Sequence, residues 1–504
     1  MAALKLGAVA IGIDPNYPDA TLAQVLEATA PKAIFIDDAS TLDRLPASIR
    51  ASFELAVAFR GDTEGGRAGV RSLRSMIEST PAGPYPSGSE PSPEDPAIVV
   101  FTSGTTGLPR PIAYSHRQVV LAVDEILAAF PDIGEGSRLL CWLPLANLFQ
   151  RIINFCAVAR GATSYVIADP REVMLHLPSA SPHVFIGVPR FFEKVQAGIE
   201  DRLTARPVLT RTFVRWALAL GRRRERGIGW WLAELFALRR LRAVFGKDAR
   251  YLISGSAPMP QSLLEWFEAI GLPVLEAYGV SEDIVPVAMN RPGVRRPGTV
   301  GKPTPANEVR LGPDGEVLVR GEGVFNGYLG ADSIQPDREG FWATGDLGEF
   351  TPDGFLRLRG RKSESFKTSG GHWIVAVNVE TLLQQIPYVE HAVLAGSSEH
   401  ALTAILNIDL ARFRGNASAS ELSFDECTRI AVDAGDALAA VPRYSRPAAL
   451  LVVTTAFSVA GGELTTNLKL RRALVIEKFK PQLARLRAAA RTPDDAARPV
   501  VLAA

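Results

Sequence analysis

Cysteine is scarce in this chain: three in 504 residues, Cys141, Cys156 and Cys427. They are too few and too scattered for a disulfide framework, and no C-x-x-C pair offers a structural zinc site. The count fits a reducing compartment such as the cytosol. Net charge is nearly absent as well, with 55 Lys and Arg against 54 Asp and Glu. Nothing therefore draws the molecule as a whole to nucleic acid. No apolar run approaches the roughly 20 residues that span a bilayer. The opening MAALKLGAVAIGI is apolar, but it carries a single Lys, and DPNYP follows where a small-residue cleavage site would stand. It reads as core structure rather than a signal peptide. With 47% hydrophobic and 22% charged residues, disordered, collagenous and disulfide-miniprotein classes are excluded. What remains is a globular chain of roughly two to four domains' length.

What is present is an alternation of elements. LAQVLEATA has apolar residues at helical spacing, and KAIFIDD reads as a buried strand ending in acids. Residues 79–96, STPAGPYPSGSEPSPEDP, are a loop. Short strands separated by helices recur to residue 290, which predicts an α/β fold with largely parallel sheets flanked by helices. EVRLGPDGEVLVRG and LGEFTPDGFLRLRG then alternate around a Pro-Asp-Gly turn and predict β-hairpins of a β-rich subdomain. HAVLAGSS, LTAILNID and AALLVV are strand candidates of a small α+β C-terminal domain. The expected division is 1–361 for the large domain, 362–485 for the small one and 486–504 for a frayed tail.

Residues 201–250 stand apart. They hold thirteen Arg and Lys against four Asp and Glu, a local charge of +9, which leaves −8 for the rest of the chain. Trp216, Trp230, Trp231, Phe213 and Phe236 lie among the basic residues. The segment reads as a pair of solvated helices whose aromatics pack on the main body, because these residues do not sort cleanly onto one face. The alternative is peripheral contact with an anionic membrane surface.

The strongest chemical signal is AIVVFTSGTTGLPRPIAYSHRQVV. A strand runs into Thr102, Ser103, Gly104, Thr105, Thr106 and Gly107, and Ser115 with Gln118 predicts a capping box for the helix that follows. Glycines let successive N–H groups converge, and hydroxyls add donors, so such a loop cradles phosphate oxygens. Arg110 adds a fixed positive charge. The Walker spacing is absent.

TSGTTGLPR resembles the phosphate-binding signature of the AMP-forming adenylating superfamily of acyl-CoA synthetases, peptide-synthetase adenylation domains and luciferases. SGSAPM (254–259), AYGVSE (277–282), ATGDLG (343–348), GRKSESFKTSGG (360–371) and TTNLKLRR (465–472) resemble its further signatures, in the same order. WLPLANLFQR, PHVFIGVPRFFEKVQAGI and GEGVFNGYLG look most like long-chain fatty acyl-CoA synthetases, in which the place of residues 201–250 is a variable helical insertion.

The resemblance implies a large AMP-binding domain, a small mobile C-terminal domain, and two half-reactions. A fatty acid and ATP give acyl-AMP, and the acyl group then passes to CoA, with Mg²⁺ as the metal. Other outcomes are a ligase that loads a carrier protein and a non-catalytic nucleotide- or acyl-binding remnant. Residues 102–107 would hold the β- and γ-phosphates beside Arg110. Tyr278, with Gly279, would stack on adenine next to Gly255, Ser256 and Ala257. Ser281 would touch the α-phosphate, and Glu282 would bind Mg²⁺. Asp346 would hold the ribose hydroxyls, and Arg361 the ribose or a phosphate. Lys469 would bridge the carboxylate and α-phosphate, and Gly370 and Gly371 would let the pantetheine arm approach. His116 and His372 are weaker matches.

Several positions depart from the family pattern. Pro111 follows Arg110 where Gly is usual, and Asn147 stands for a His. Phe192 stands for a Trp at a gate to the acyl tunnel. Ser363 takes a charged hinge position, and Ala376 replaces a Pro. Family members usually carry a longer stretch before ALKLGAVAIGIDPNYP, so the resemblance implies that front elements covering the first sheet are missing.

Overall fold

The computed structural model describes residues 1–60, 69–81, 83, 90–102, 109–223, 227–330, 335–362, 365–367, 373–396, 402–415, 422–459, 461–464, 470–489 and 500–503. The chain divides into two compact units. The first comprises Met1–Arg310, Leu318–Trp342 and Thr351–Leu356, the second Leu311–Val317, Ala343–Phe350 and Arg357–Ala504.

The first unit is built on parallel sheets, as alternating short strands and helices require. A seven-stranded sheet has the order Lys302–Pro303, Ala288–Met289, Val274–Tyr278, Tyr251–Ser254, Val184–Gly187, Arg138–Cys141, Thr163–Val166. Its last five strands are parallel, and the first two add an antiparallel edge. The strand Val184–Gly187 is buried throughout, as expected of a strand covered on both faces. Helices Pro189–Thr204 and Gln261–Ala269 cover one face with Phe185, Phe191, Phe192, Phe245 and Phe267, all at most 5% exposed. Phe192 is a fully buried member of this cluster, set edge-on to Phe185 and Phe267.

Two smaller sheets precede it. Ala33–Ile36, Leu55–Ala58 and Val70–Ser72 are parallel. Ala10–Ile11 pairs parallel with Pro96–Phe101, which pairs antiparallel with Pro111–Ser115. The opening segment forms a four-residue helix, Ala2–Lys5, of which only Leu4 is buried, and then that short strand, with Ile13 packed against a core cluster; Leu6 and Val9 are exposed. It is thus less of a core element than its apolar composition predicts, because only two of its residues gain strand partners.

Both Pro-Asp-Gly stretches form the expected tight turns. Gly312 N–H donates to Glu316 O (2.8 Å) and Thr351 N–H to Phe355 O (2.8 Å). Gly315 and Gly354 each adopt φ +82°, the left-handed value that glycine alone adopts at no cost. The four strands concerned, Asn307–Leu311, Glu316–Gly321, Trp342–Phe350 and Leu356–Arg361, are consecutive in one sheet.

The second unit carries Val389–Ala395, Thr403–Ile408, Ala449–Val453 and Val500–Ala503 in that order, antiparallel for the first pair and parallel thereafter. Period-two alternation sends Leu394, Leu406, Leu450 and Val452 to one face, with helices Ala376–Leu383 and Phe424–Ala437. It sends Val393, Ile405 and Leu451 to the other, with Arg472–Lys478 and Lys480–Ala489. Ala376 is fully buried in the first of these cores.

Candidate active site

The strand Pro96–Phe101 is buried along Ala97–Val100 and delivers Thr102 to its end. Thr102 N–H donates to Arg110 O (3.0 Å), and Arg110 N–H reaches Thr102 Oγ1 (3.4 Å). Thr102 and Arg110 are therefore paired side by side. Ser103, Gly104, Thr105, Thr106 and Gly107 lie outside the described residues, as do Ser363, Gly370, Gly371, His372 and Lys469. Ser115 and Gln118 form the expected capping box on helix His116–Ala129. Gln118 also donates to the carbonyls of Glu322 and Val324. His116 Nε2 is buried without a hydrogen-bond partner among the described residues.

Two tyrosines join this loop to the Ser281–Glu282 stretch. The Arg110 guanidinium lies 5.3 Å from the centre of the Tyr328 ring, and Tyr328 OH donates to Glu282 Oε1 (2.6 Å). Tyr114 OH donates to Ser281 O (2.6 Å). Burial first, and the neighbouring carboxylates second, push both phenols above their ordinary range. Both hydroxyls thus stay protonated and act as fixed donors. Pro111 lacks an N–H, but its carbonyl accepts from Leu329 N–H (2.9 Å).

The second gathering lies where parallel strands end. Ser254 is in register with Gly187 on one side and Glu276 on the other, so the segments that follow, Gly255–Ala257 and Ala277–Glu282, run side by side. Ligands of parallel α/β sheets bind beyond the carboxyl ends of the strands, where loops diverge and backbone groups are free. Gly255 N–H donates to Gly187 O (3.3 Å), and a Cβ at Gly255 would lie 3.4 Å from Ala277 O. Ser256 adopts φ +70°, a strained value for a residue with a Cβ. Ser256 and Ala257 are exposed, Tyr278 is buried, Gly279 is exposed, and Ser281 and Glu282 are half-buried.

Two buried carboxyls brace these loops. Glu276 accepts from Met259 N–H (3.5 Å) and from the backbone of Gly298, and burial pushes it up to about 7. Asp283 accepts from Val285 N–H (3.0 Å) and from Asn307 Nδ2 (2.8 Å), and burial pushes it up to about 7 as well. Phe325 N–H donates to Glu282 O (2.8 Å) and fixes the backbone that carries the carboxylate.

In the second unit, Asp346 is buried, and Arg361 Nε lies 2.8 Å from its Oδ1. Gly345, at φ +74°, donates its N–H to Glu316 Oε1 (3.0 Å). The structure thus gathers Thr102, Arg110, Ser281 and Glu282 around two tyrosines. It sets Gly255, Ser256 and Ala257 beside Tyr278 and Gly279, and pairs Asp346 with Arg361.

Sequence reasoning missed Tyr114, Tyr328 and Glu276. Tyr328 stands in GEGVFNGYLG, a stretch noted only for likeness. Asn147 Oδ1 accepts from Gln150 N–H (3.3 Å) and caps the helix Leu148–Ala159. A cavity of about 330 Å³ is lined by Tyr114, Ser115, Gln118, Tyr328 and Leu329 among others, but by none of the sequence-predicted site residues.

Residues 1–329 match the family described as AMP-binding enzyme. The long-chain-fatty-acid–CoA ligase FadD15 of Mycobacterium bovis is 33% identical over 413 residues, 76% of this chain and 68% of that protein. Human long-chain-fatty-acid–CoA ligase 1 is 27% identical over 78% of this chain and 61% of its own length. The adenylation domain of a carboxylate reductase from Mycobacterium chelonae superposes with a TM-score of 0.72 at 22% identity, covering 97% of this chain and 78% of that one, and shares the fold. The mixed α/β architecture, the order of the signatures and these matches lead to one conclusion: the chain belongs to the AMP-binding enzyme family.

Proposed function

We propose that the chain is an AMP-forming ligase that activates a long-chain fatty acid with ATP and passes the acyl group to CoA. The observation that carries this reading is the convergence of the paired anchors Thr102 and Arg110 with Glu282 through Tyr328, within a chain of this family. The acyl class rests on the likeness to long-chain-fatty-acid–CoA ligases.

A carboxylate is a poor acyl donor because its leaving group is oxide. In the first step a carboxylate oxygen attacks the α-phosphorus, the bond to the bridging oxygen breaks, and pyrophosphate leaves. In the second, a thiol sulfur attacks the carbonyl carbon, the C–O bond to AMP breaks, and the thiol proton is lost. Charge builds on the α-phosphate during the first step, so positioning and charge neutralisation do most of the work.

In this reading Thr102 anchors the hydroxyl loop, and Arg110 sets a cation beside the outer phosphates. Tyr278 offers a ring to adenine, and Ser281 a hydroxyl to the α-phosphate. Asp346 and Arg361 serve the ribose, Lys469 the reacting carboxylate, and Gly370 and Gly371 the pantetheine arm. Among the described residues no group of three or more His, Cys, Asp or Glu could hold a metal by itself. One carboxylate, Glu282, with phosphate oxygens is nonetheless a donor set that suits Mg²⁺. Glu282 keeps Oε2 for that role while Tyr328 holds Oε1. When bound, the metal would neutralise phosphate charge.

The test is incubation with a long-chain fatty acid, ATP and Mg²⁺, with and without CoA. Fatty-acid-dependent pyrophosphate release and CoA-dependent thioester are expected. Accumulating acyl-AMP with no acyl-CoA would point to a carrier protein as acceptor. Binding of AMP or fatty acid without pyrophosphate release would show a non-catalytic remnant.

A further inference from the structure

We propose that the outward face of residues 228–240 is a docking surface for an anionic lipid bilayer. Helix Ile228–Ala233, the π-turn Glu234–Leu238 and helix Arg239–Arg242 run on as one rod. Its inner face buries Ala233, Ala237, Leu238 and Leu241. Its outer face is the unusual one. Ile228, Trp231, Leu232, Leu235 and Phe236 follow one another at helical spacing, and each is between 37% and 83% exposed. An amphipathic helix of a globular protein turns such a stripe inward; here two alanines and two leucines take the inner face, and five further large apolar residues face solvent. The aromatics of this segment therefore do not all pack on the main body, contrary to the sequence-based expectation: Trp231 and Phe236 share the outward face, while Phe213 packs against the core and Trp230 is half-buried.

The patch continues onto the neighbouring helix, Val208–Arg223. A Cβ at Gly229 would lie 3.3 Å from the Trp216 ring, and Trp216 is itself exposed. Arg222 and Arg223 close that helix, and Arg239 and Arg240 extend the outer stripe; all four are exposed. An apolar stripe bearing Trp and Phe, ringed by arginines, matches the boundary between lipid phosphates and acyl chains. The segment's charge of +9 against −8 elsewhere orients the molecule toward an anionic surface. A second copy of the chain fits less well, since two-fold contact would bring the same arginines face to face. Among the described residues no helix is long and apolar enough to cross a membrane, so the contact is peripheral.

The experiment is co-sedimentation of the full chain with phosphatidylcholine vesicles, with and without phosphatidylglycerol. We expect partition onto the anionic vesicles only. It should fall by about tenfold or more in Trp231→Ser/Phe236→Ser and in Arg239→Ala/Arg240→Ala. Raising salt from about 0.1 M to about 1 M should release the wild type, as the Debye length shrinks from about 10 Å to about 3 Å. The positions face outward, so melting temperature and vesicle-free adenylation should not change; if a variant fails to fold, the lipid and salt series on the wild type still decides. The proposal is overturned by absent binding, by equal binding to neutral vesicles, or by folded variants that bind like wild type. It is also overturned by a concentration-dependent dimer that Trp231→Ser/Phe236→Ser abolishes while vesicles are ignored, which would make the patch a self-association surface.

Discussion

Glu276 and Asp283 sit where water does not reach, at 6% and 2% exposure, and both hold a proton up to about pH 7. In an unfolded chain such carboxyls ionise near pH 4. Between those limits the folded state binds more protons, so stability falls as pH rises through the window and levels off above pH 7. Each group can cost on the order of 3 kcal/mol once ionised. Glu276→Gln keeps an acceptor for Met259 N–H and removes the charge. Thermal melts should show it matching wild type near pH 5 and exceeding it near pH 8; equal melting at both values would mean that Glu276 is solvated. Asp283→Asn should not gain in the same way, because its amide would have to accept from Val285 N–H and Asn307 Nδ2 with a single oxygen. Tyr328→Phe tests a different link. It deletes the hydroxyl that holds Glu282, and partners of this kind are worth about 10- to 100-fold in activity. Fatty-acid-dependent pyrophosphate release should drop by that range with little change in melting; full activity would show that Glu282 is oriented by something else. Tyr328 was not legible as a site residue because its contacts reach residues 46 and more than 200 positions away. Arg151 was hidden for the same reason. It ends the stretch WLPLANLFQR, yet its guanidinium donates to the carbonyls of Leu145, Val99 and Ala10, and a Cβ at Gly12 would lie 1.5 Å from it.

At the scale of elements, the basic helix Val208–Arg223 is held to the body through its narrowest residue. A Cβ at Gly221 would lie 1.9 Å from Ala269 O, at the end of helix Gln261–Ala269. Neither backbone can yield that distance without separating the helices. Gly221→Ala should therefore destabilise the first unit by about 1–3 kcal/mol, read as a lower melting temperature; an unchanged melt would show that the helix shifts freely. The same segment shows what the sequence makes plain and what it hides. Hairpins at Pro313-Asp314-Gly315 and Pro352-Asp353-Gly354 were legible because turn chemistry is local. The Ser115–Gln118 capping box was legible because both partners lie within one turn. Strands such as Val389–Ala395 and Ala449–Val453 announced themselves as apolar runs. Their order in the sheet, with Thr403–Ile408 between them, is set by pairing across distant segments and has no local sign. The outward stripe of 228–240 escaped notice because pattern reading assumes that apolar residues mark the buried face, and here apolar residues occupy both faces.

For the whole molecule, the residues assigned to one reaction are carried by two compact units. The loop anchors Thr102 and Arg110, with Tyr278 and Glu282, belong to the first, and Asp346, Arg361 and the stretch bearing Lys469 to the second. The resemblance assigns Lys469 to the first half-reaction only. The described residues on either side of 465–469 form a base: Leu464 and Leu470 form an antiparallel bridge, and Arg471 N–H donates to Glu463 O (2.8 Å). Lys478 pairs with the Glu463 carboxylate and holds the same base. A lysine is a compact charge on a flexible side-chain stem, suited to meeting a carboxylate and a phosphate together. Truncating it leaves the base intact, so the effect should be chemical rather than structural. In Lys469→Ala, pyrophosphate release should fall by at least about a hundredfold, the scale of losing one charge-stabilising donor. ATP binding, followed by calorimetry, should change little. Thioester formation from supplied acyl-AMP and CoA should also persist, because pyrophosphate has already left and no α-phosphate attack remains. Unchanged adenylation would remove Lys469 from the mechanism. An equal loss in both half-reactions, with a lowered melting temperature, would make it a structural lysine and leave the first half-reaction without its cation.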